Sequence, residues 1–151
     1  MMVKEIMSQP VVTVREDTPV PEVAQVMQEW DIGAVVVVDG GGGLRGIVTE
    51  SDFTGVGRCV PFSLTLAPVV FGARAPTMSE LERIYAMARK LTARQIMSDR
   101  VHMAEESEEV GAVVHRMLQR NLKHVPVVRD GRPVGMLARH DLLKLVATPA
   151  P

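Results

Sequence analysis

The chain has 151 residues, enough for one compact domain that buries roughly two-thirds of the surface its unfolded form exposes. Its 17 basic and 18 acidic side chains leave a formal net charge of −1, which argues against a broad electrostatic surface for nucleic acid. Hydrophobic residues make up 46% of the chain and aromatic residues 3%, so we expect an aliphatic core beneath a parallel or mixed sheet.

The sequence signals for compartment favour a soluble protein. Cys59 is the single cysteine, which excludes an internal disulfide and fits a reducing cytoplasm. Residues 1–8 lack the apolar stretch of a signal peptide. The most apolar later stretch, residues 60–71, is too short to span a bilayer and contains two prolines. We therefore predict a cytoplasmic protein that binds neither membrane nor nucleic acid.

The chain begins with a predicted strand and helix. A β-rich run at residues 11–14 precedes Thr18 and Pro19, which we expect to cap the helix and to occupy its first position. Apolar side chains recur at helical spacing after this point and predict one buried face. That face comprises Val20, Val23, Ala24, Met27 and Trp30.

We expect the helix to end at Gly33 and a β-hairpin to follow it. Residues 34–38 form a continuous branched run that is typical of a strand buried on both faces. The glycines at residues 40–43 lead into a second strand at residues 44–49. This glycine run lacks the Lys-Ser or Lys-Thr of a phosphate-binding loop, so we interpret it as a loose hairpin turn.

A connector at residues 58–92 is longer than most links inside a compact domain. Ser79 and Glu82 predict a capping box for a helix at about residues 79–91. The apolar face of this helix comprises Leu81, Ile84, Tyr85, Ala88 and Leu91. We interpret the apolar, proline-containing first half of the connector as a cover for an exposed side of the module, with a ligand lid or a partner surface as the alternative.

The last part of the chain repeats the order of the first. Residues 101–103 predict a strand, and Ser107 is the expected cap of a helix whose inward face comprises Val110, Val113, Val114, Met117 and Leu118. Asn121 tolerates the left-handed turn at the end of that helix. A strand, a hairpin turn, a second strand and a final helix are then predicted at residues 125–128, 130–131, 133–138 and 141–146.

The two parts are copies of one pattern. The motif Ile6-Met7-Ser8 is matched by Ile96-Met97-Ser98 at an offset of 90 (97 − 7), and residues 46–52 are matched by residues 135–141 at an offset of 89 (135 − 46). Duplicated units pack about a pseudo-two-fold axis, and the groove between them can hold a small molecule from both sides. We predict an α/β fold of two pseudo-symmetric β-α-β-β-α repeats, at residues 1–57 and 93–148.

Paired units of this order, opened by Ile-Met-Ser and closed by Gly-apolar-apolar-Thr-x-x-Asp, resemble cystathionine-β-synthase (CBS) domains, here as a tandem pair or Bateman module. The resemblance implies adenine-containing ligands in two clefts between the repeats, namely AMP, ADP, ATP, NAD or S-adenosylmethionine. It also implies a homodimer. With no effector domain predicted, a regulatory output would pass through a separate and unknown effector protein.

The residue types that end the first repeat suit a ribose. The Asp52 carboxylate can accept both hydroxyls of a ribose, and the Thr49 hydroxyl can meet a neighbouring sugar or phosphate oxygen. The alternative is that these side chains cap the next helix, and one role does not exclude the other. The resemblance favours ribose binding at Asp52.

The same resemblance implies which residues share each cleft. The first cleft would hold Thr49 and Asp52 opposite Val101, Lys123 and His124, with His140 nearby. The basic side chains of Lys123, His124 and His140 would bind phosphate, although each could instead be an ordinary solvated or strand-edge side chain.

The second and weaker cleft would hold Val11, Gly33, Ala34, Arg139 and Asp141. Ala138 stands there where the first copy has Thr49, so one hydroxyl is missing. We therefore expect the first cleft to bind a phosphorylated adenosine ligand. The second would be empty or bind a ligand with little negative charge.

Catalytic and metal signals are weak. The four histidines show no metal-ligand spacing, and the sequence offers no nucleophile together with a general base and an orienting acid. We expect no enzyme activity, no metal and no required cofactor. The alternatives are a structural or dimerisation module with degenerate ligand sites, and a small hydrolase that uses Asp52 or His124 as base.

Overall fold

The computed structural model describes residues 1–53 and 77–147 of the chain. Within these two ranges, the helices are all too short or too polar to cross a membrane. The described strands and α-helices follow one another along the chain in the order β1 Thr13–Arg15, α1 Val20–Glu29, β2 Ala34–Val38, β3 Leu44–Thr49, α2 Met78–Ala88, α3 Ala93–Ile96, β4 Ala104–Glu105, α4 Val110–Gln119, β5 His124–Arg129, β6 Arg132–Ala138 and α5 Leu143–Ala147. This arrangement confirms the predicted α/β class.

The strands form two sheets of identical topology, ordered β1-β2-β3 and β4-β5-β6. In each sheet the first pair is parallel and the second pair is antiparallel. The central strands β2 and β5 have four consecutive buried residues each, because their branched side chains are covered on both faces. Short 3₁₀ turns, Glu50–Asp52 and Arg139–Leu142, follow the third strands.

The opening segment of each copy packs into the core of the other copy. Ala93 and Ile96 of α3 are fully buried in the core under the first sheet. Val3, Ile6 and Met7 are buried in the core under the second sheet. Each core therefore contains side chains from both halves of the sequence, and burial of these apolar groups ties the halves together.

Backbone hydrogen bonds hold the exchanged segments in register. Ser8 N donates to Met136 O at 2.8 Å, and Met136 N donates back to Ser8 O at 3.1 Å. Ser98 and Ile47 form the equivalent pair at 2.9 and 3.0 Å. Each opening segment thus forms an antiparallel bridge to the third strand of the opposite sheet.

Two glycines permit this close approach. A Cβ at Gly46 would stand 2.5 Å from Met97 Sδ and 2.8 Å from Ser98 O. A Cβ at Gly135 would stand 2.5 Å from Met7 Sδ. The glycine that opens each closing motif is therefore explained by the opening segment packed against it.

The predicted helix caps were wrong at three sites. Helix α1 begins one residue late, after Pro19, because the Thr18 hydroxyl accepts a hydrogen bond from Arg15 N (3.0 Å) in the preceding turn. Helix α4 begins after Glu109, and Glu108 rather than Ser107 accepts the local backbone hydrogen bond, from Glu105 N (2.9 Å).

The cap of helix α2 lies two residues before the predicted one, and the helix begins at Met78. Thr77 is its cap, with Glu80 as the reciprocal partner at 3.2 and 3.0 Å, in place of Ser79 and Glu82. The helix ends at Ala88, short of the predicted residue 91. The apolar first half of the connector lies outside the described residues.

Two predicted core residues are exposed instead. Trp30 is 56% exposed because α1 ends before it and the chain turns at Asp31, whose φ is 49°. Leu118 is 70% exposed because it lies about 100° around α4 from Met117, off the buried stripe. Asn121 has a φ of 51°, which confirms the predicted left-handed turn.

The short strands were predicted too early. Strand β4 occupies Ala104–Glu105 rather than residues 101–103, because the paired positions on β5 begin opposite Ala104. Strand β1 likewise occupies Thr13–Arg15. Residues just before β1 and β4 line the clefts between the halves, Val11 and Val12 in one cleft and Val101 and His102 in the other.

Candidate functional site

Two clefts lie between the halves and are built from equivalent positions of the two copies. The first has a volume of about 550 Å³ and the second about 320 Å³. The first is lined by Gly33, Ile47, Thr49, Glu50, Ser51, Ser98, Arg100, Val101, His102, Asn121, Leu122, Lys123 and His124. The second is lined by Ser8, Pro10, Val11, Val12, Asp31, Ile32, Gly33, Ala34, His124, Met136, Ala138, His140 and Asp141.

Hydroxyl groups form one wall of the first cleft, at the end of β3. Thr49 Oγ1 and Ser51 Oγ share a hydrogen bond of 2.7 Å. Asp52, 4% exposed, adjoins this wall, and its Oδ2 accepts a hydrogen bond from Thr49 N at 2.8 Å. The carboxylate therefore stabilises the turn after β3, as the capping interpretation of Asp52 required.

Cationic side chains from the second copy form another part of the lining of the first cleft, the cationic wall. Arg100 follows the exchanged opening segment, and Lys123 directly precedes β5. Both side chains are exposed, and among the residues that the structure describes neither has a hydrogen-bond or ion-pair partner. Two such cations that line one cleft with the Thr49 and Ser51 hydroxyls are suited to bind an anion with attached hydroxyls.

His124 lies on the wall shared by both clefts, as does Gly33. Burial lowers the pKa of the His124 imidazole, and the nearby Lys123 lowers it further, against the opposing effect of the Glu50 and Asp141 carboxylates. The neutral ring can donate one hydrogen bond and accept another.

The second cleft ends in a carboxylate that already has protein partners. Asp141, 3% exposed, accepts hydrogen bonds at Oδ1 from Ser8 Oγ (2.7 Å) and Lys144 Nζ (2.9 Å), and at Oδ2 from Ala138 N (2.8 Å). Burial would raise its pKa, but these hydrogen bonds and the Lys144 charge together lower it. Asp141 is therefore an anion held by the protein itself.

The clefts differ in charge because equivalent positions carry different residues. At an offset of 90, Arg100 corresponds to Pro10 and Lys123 corresponds to Gly33. His102 corresponds in the same way to Val12. The first cleft thus carries two cations against the one carboxylate of Glu50, whereas the wall of the second cleft that corresponds to the cations is mainly apolar.

The structure brings most of the predicted site residues together. Of the residues predicted for the first cleft, Thr49, Val101, Lys123 and His124 line it, whereas Asp52 is buried and is not among its lining residues. Of those predicted for the second cleft, Val11, Gly33, Ala34 and Asp141 line it. His140, expected near the first cleft, instead lines the second, because it follows β6 in the copy that contributes Asp141.

Arg139 lines neither cleft. Its Nε donates to Leu122 O at 3.0 Å, and its Nη2 donates to Asn121 Oδ1 at 2.8 Å. The guanidinium therefore fixes the turn before β5, and Asn121 and Leu122 in that turn line the first cleft.

Sequence reasoning missed Arg100, the second cation of the first cleft. The signal that could have found it is the repeat itself. Arg100 lies two residues after the Ile-Met-Ser motif of the second copy, where the first copy has Pro10. A comparison of charge at every aligned position would have identified it.

Comparisons with known proteins identify the family of the chain and agree with its fold. A family model for the CBS domain matches residues 3–57 and residues 93–148. The chain is 40% identical to the CBS domain of a CBS domain containing membrane protein from Sphaerobacter thermophilus, with a TM-score of 0.73 over 96% of this chain and 87% of that chain.

Two further relatives extend the comparison. The chain is 27% identical to the CBS domain pair of protein MJ0100, solved in complex with 5′-methylthioadenosine and S-adenosyl-L-methionine, with a TM-score of 0.70 over 97% of this chain and 95% of that chain. It is 28% identical to the uncharacterized protein MJ1426 of Methanocaldococcus jannaschii, over 95% of this chain and 90% of the relative. The chain spans 65% and 23% of two longer relatives.

Proposed function

Because the chain belongs to the CBS domain family, as a tandem pair of CBS domains, we propose that it is a regulatory module that binds an adenine nucleotide in its first cleft. The observation that carries this proposal is that Arg100 and Lys123, which have no hydrogen-bond or ion-pair partner among the residues that the structure describes, line the same cleft as the hydroxyls of Thr49 and Ser51. The candidate ligands are AMP, ADP and ATP.

The phosphate group would bind at the cationic wall. The planar guanidinium of Arg100 can donate two parallel hydrogen bonds to phosphate oxygens, and the Lys123 ammonium adds a second positive charge. The proposal assigns phosphate binding to these two residues, with His124 as a further donor.

The nucleoside would bind at the wall formed by the end of β3. The hydroxyls of Thr49 and Ser51 can donate to and accept from ribose oxygens, and the Asp52 carboxylate adjoins them. Half-buried apolar side chains of Ile47, Val101 and Leu122 offer a surface for the adenine ring.

The second cleft would be empty or hold an adenosyl ligand with little negative charge, such as S-adenosylmethionine. Its wall carries Pro10, Val12 and Gly33 in place of the cations of the first cleft. The complex of the MJ0100 domain pair with two adenosyl compounds supports this class of ligand, at 27% identity. NAD, with its negatively charged pyrophosphate, fits this cleft less well.

The proposal extends to how the module acts. Residues 1–57 and 93–148 would be the two CBS repeats, joined by a connector, in a cytoplasmic homodimer that neither catalyses a reaction nor binds nucleic acid or membrane. Ligand binding would change how the halves or subunits are arranged and so alter contact with a separate effector protein. Sedimentation velocity with and without AMP tests the dimer and its response.

Calorimetric titration with AMP and adenosine tests the ligand assignment. We expect AMP to bind at least tenfold more tightly than adenosine, and the double variant R100A/K123A to lose that preference. The variant R83A/K90A removes two exposed cations from α2 and the residues just after it, and should bind like the parent. Equal affinities of the parent for AMP and adenosine would contradict the phosphate assignment.

A second candidate is an interaction module with degenerate ligand sites. The observation in its favour is Asp141, whose oxygens already have three donors. This candidate predicts that adenine nucleotides, NAD and S-adenosylmethionine leave the thermal midpoint unchanged, whereas a ligand that binds the folded state raises it.

A further inference from the structure

The ribose position of the second cleft is already occupied by groups of the chain. A carboxylate offers about four lone-pair sites for hydrogen bonds. Ser8 Oγ, Lys144 Nζ and Ala138 N use three of them on Asp141. A ribose diol needs two acceptor sites, so Asp141 can accept a diol only if one of these donors leaves.

Lys144 is the donor whose removal is simplest. Its side chain is 48% exposed, and its Nζ also donates to Ile6 O at 2.7 Å. Ala138 N is a backbone group, and Ser8 lies in the exchanged segment that the backbone fixes to β6. A change of the lysine side chain removes its bonds to Asp141 and Ile6 O, but leaves intact the backbone hydrogen bonds between Ser8 and Met136 that hold the exchanged segment.

The first copy lacks this lysine. At the offset of 89 that relates Asp141 to Asp52, Lys144 corresponds to Gly55 (144 − 89). The lysine is therefore a difference between the copies, and it falls beside the cleft that also lacks the Thr49 hydroxyl and the cations. These differences all reduce nucleotide binding in the same cleft.

We propose that Lys144 determines specificity by closing the second cleft to ribose-bearing ligands, so that the pair holds one nucleotide rather than two. Of the two states proposed above for the second cleft, this inference selects the empty one, because S-adenosylmethionine also carries a ribose. The inference rests on the proposed function for its ligand class. It assigns Lys144 an internal role, in which the ammonium uses an acceptor site on the Asp141 carboxylate that a sugar hydroxyl would need. Removing the ammonium leaves the Asp141 carboxylate with a free acceptor site and an unbalanced charge.

Titration of the variant Lys144→Met with adenosine tests this assignment. Adenosine carries no phosphate, so binding in the second cleft does not depend on the missing cations. Isotope-labelled methyl groups give separate signals for the clefts, since Ile47 lines the first and Met136 lines the second. We expect adenosine to shift only the Ile47 signal in the parent, and both signals in K144M. The stoichiometry should rise from one to two, with at least tenfold tighter binding in the second cleft.

Control variants separate the charge from the fold. Lys144→Arg keeps a cation with several donors and should behave like the parent, as should Lys90→Met, which removes an exposed lysine far along the chain from Asp141. If K144M does not fold, Lys144→Ala replaces it. Thermal midpoints recorded without ligand establish that each variant is folded before the titration.

The outcomes distinguish this inference from the proposed function. A Met136 signal that stays unshifted in K144M while Ile47 responds overturns the role of Lys144 and leaves the first cleft as assigned. A parent that binds two adenosines also overturns it. A parent whose Ile47 signal responds neither to adenosine nor to AMP contradicts the proposed function, and the Met136 signal of K144M then still decides the role of Lys144.

Discussion

The imidazole of His124 packs against the backbone of Gly33, so closely that a Cβ at position 33 would stand 3.2 Å from Nε2 and 3.3 Å from Cε1. These two residues form the wall between the clefts. The aligned position in the second copy is Lys123, so the copies cannot be symmetric here. The absence of a side chain at Gly33 gives the ring its position.

The substitution Gly33→Ala should weaken AMP binding without unfolding the protein. The added methyl group requires the His124 ring to move by a few tenths of an ångström, which displaces a donor from the proposed phosphate site. We expect a loss of about threefold to tenfold in affinity, or about 0.7–1.4 kcal/mol. Calorimetric titration measures it, and unchanged affinity in G33A would remove His124 from the binding site.

The substitution Gly46→Ala should destabilise the fold by about 1–3 kcal/mol, because the new methyl group overlaps Met97 Sδ and Ser98 O. Gly111→Ala is the matched control. Gly111 lies on the exposed face of α4 with open space around it, and alanine there should stabilise the helix by about 0.5–1 kcal/mol. Urea unfolding of the two variants should therefore shift the midpoint in opposite directions.

Binding of AMP should be accompanied by proton uptake at His124. Burial lowers the pKa of the His124 imidazole in the ligand-free protein, and the Lys123 charge lowers it further. The Glu50 and Asp141 carboxylates oppose this effect without reversing it, so the ring is neutral at pH 7. A phosphate nearby favours the charged ring and raises this pKa. Calorimetric titration with AMP at pH 7, in buffers of different ionisation enthalpy, measures the proton uptake. The variant His124→Gln should reduce this uptake. The control variant His115→Gln, at an exposed position of α4, should leave it unchanged. Equal uptake in H124Q and the parent would assign the proton to another group.

The substitution Asp141→Asn should cost about 1–3 kcal/mol of stability at pH 7, since the Lys144 and Ser8 donors lose their anionic partner. Burial alone would raise the pKa of Asp141. Its hydrogen bonds and the Lys144 charge lower the pKa by more than burial raises it, so the pKa lies below the usual 3.8. A lowered carboxyl pKa contributes stability above the unfolded value and loses it as the pH falls through the folded value.

The difference between D141N and the parent should therefore be constant from pH 7 to about 5, and should narrow as the pH falls below about 4. Urea unfolding across this range measures it. Asp130→Asn, in an exposed hairpin turn that suits either residue, should differ from the parent by less than about 0.5 kcal/mol at every pH. A gap for D141N that keeps its full size at pH 3 would show that the carboxylate charge is not what Asp141 contributes.

The parts of the fold that depend on local pattern were predicted well. The bounds of β2 and β3 follow from the branched run at residues 34–38 and the residues after the glycine turn. The helix caps were missed because Thr18 and Ser107 have the residue type of a cap, whereas their use depends on the turn before the helix. A hydroxyl that already accepts a hydrogen bond from Arg15 N does not also cap the helix.

The site was predictable where the repeat carries the information. The family resemblance placed Lys123 and His124 in the first cleft, and a comparison of charge at the repeat offset would have added Arg100. The Ser8 donor to Asp141 was not predictable from spacing, because the two residues are 133 positions apart and meet only through the exchange of opening segments. Lys144, three residues after Asp141, was within reach of sequence reasoning had the aligned glycine been noted.

The exchange of opening segments also bears on how the molecule melts. Neither half can unfold without withdrawing Ile6 or Ile96 from the core of the other half. The protein should therefore unfold on heating as a single cooperative unit, although its sequence contains two repeats. A calorimetric scan should show one peak whose van't Hoff enthalpy equals the measured enthalpy. A fragment that contains one repeat alone would expose the apolar groove that the opening segment of the other repeat fills, and should be poorly soluble as a result.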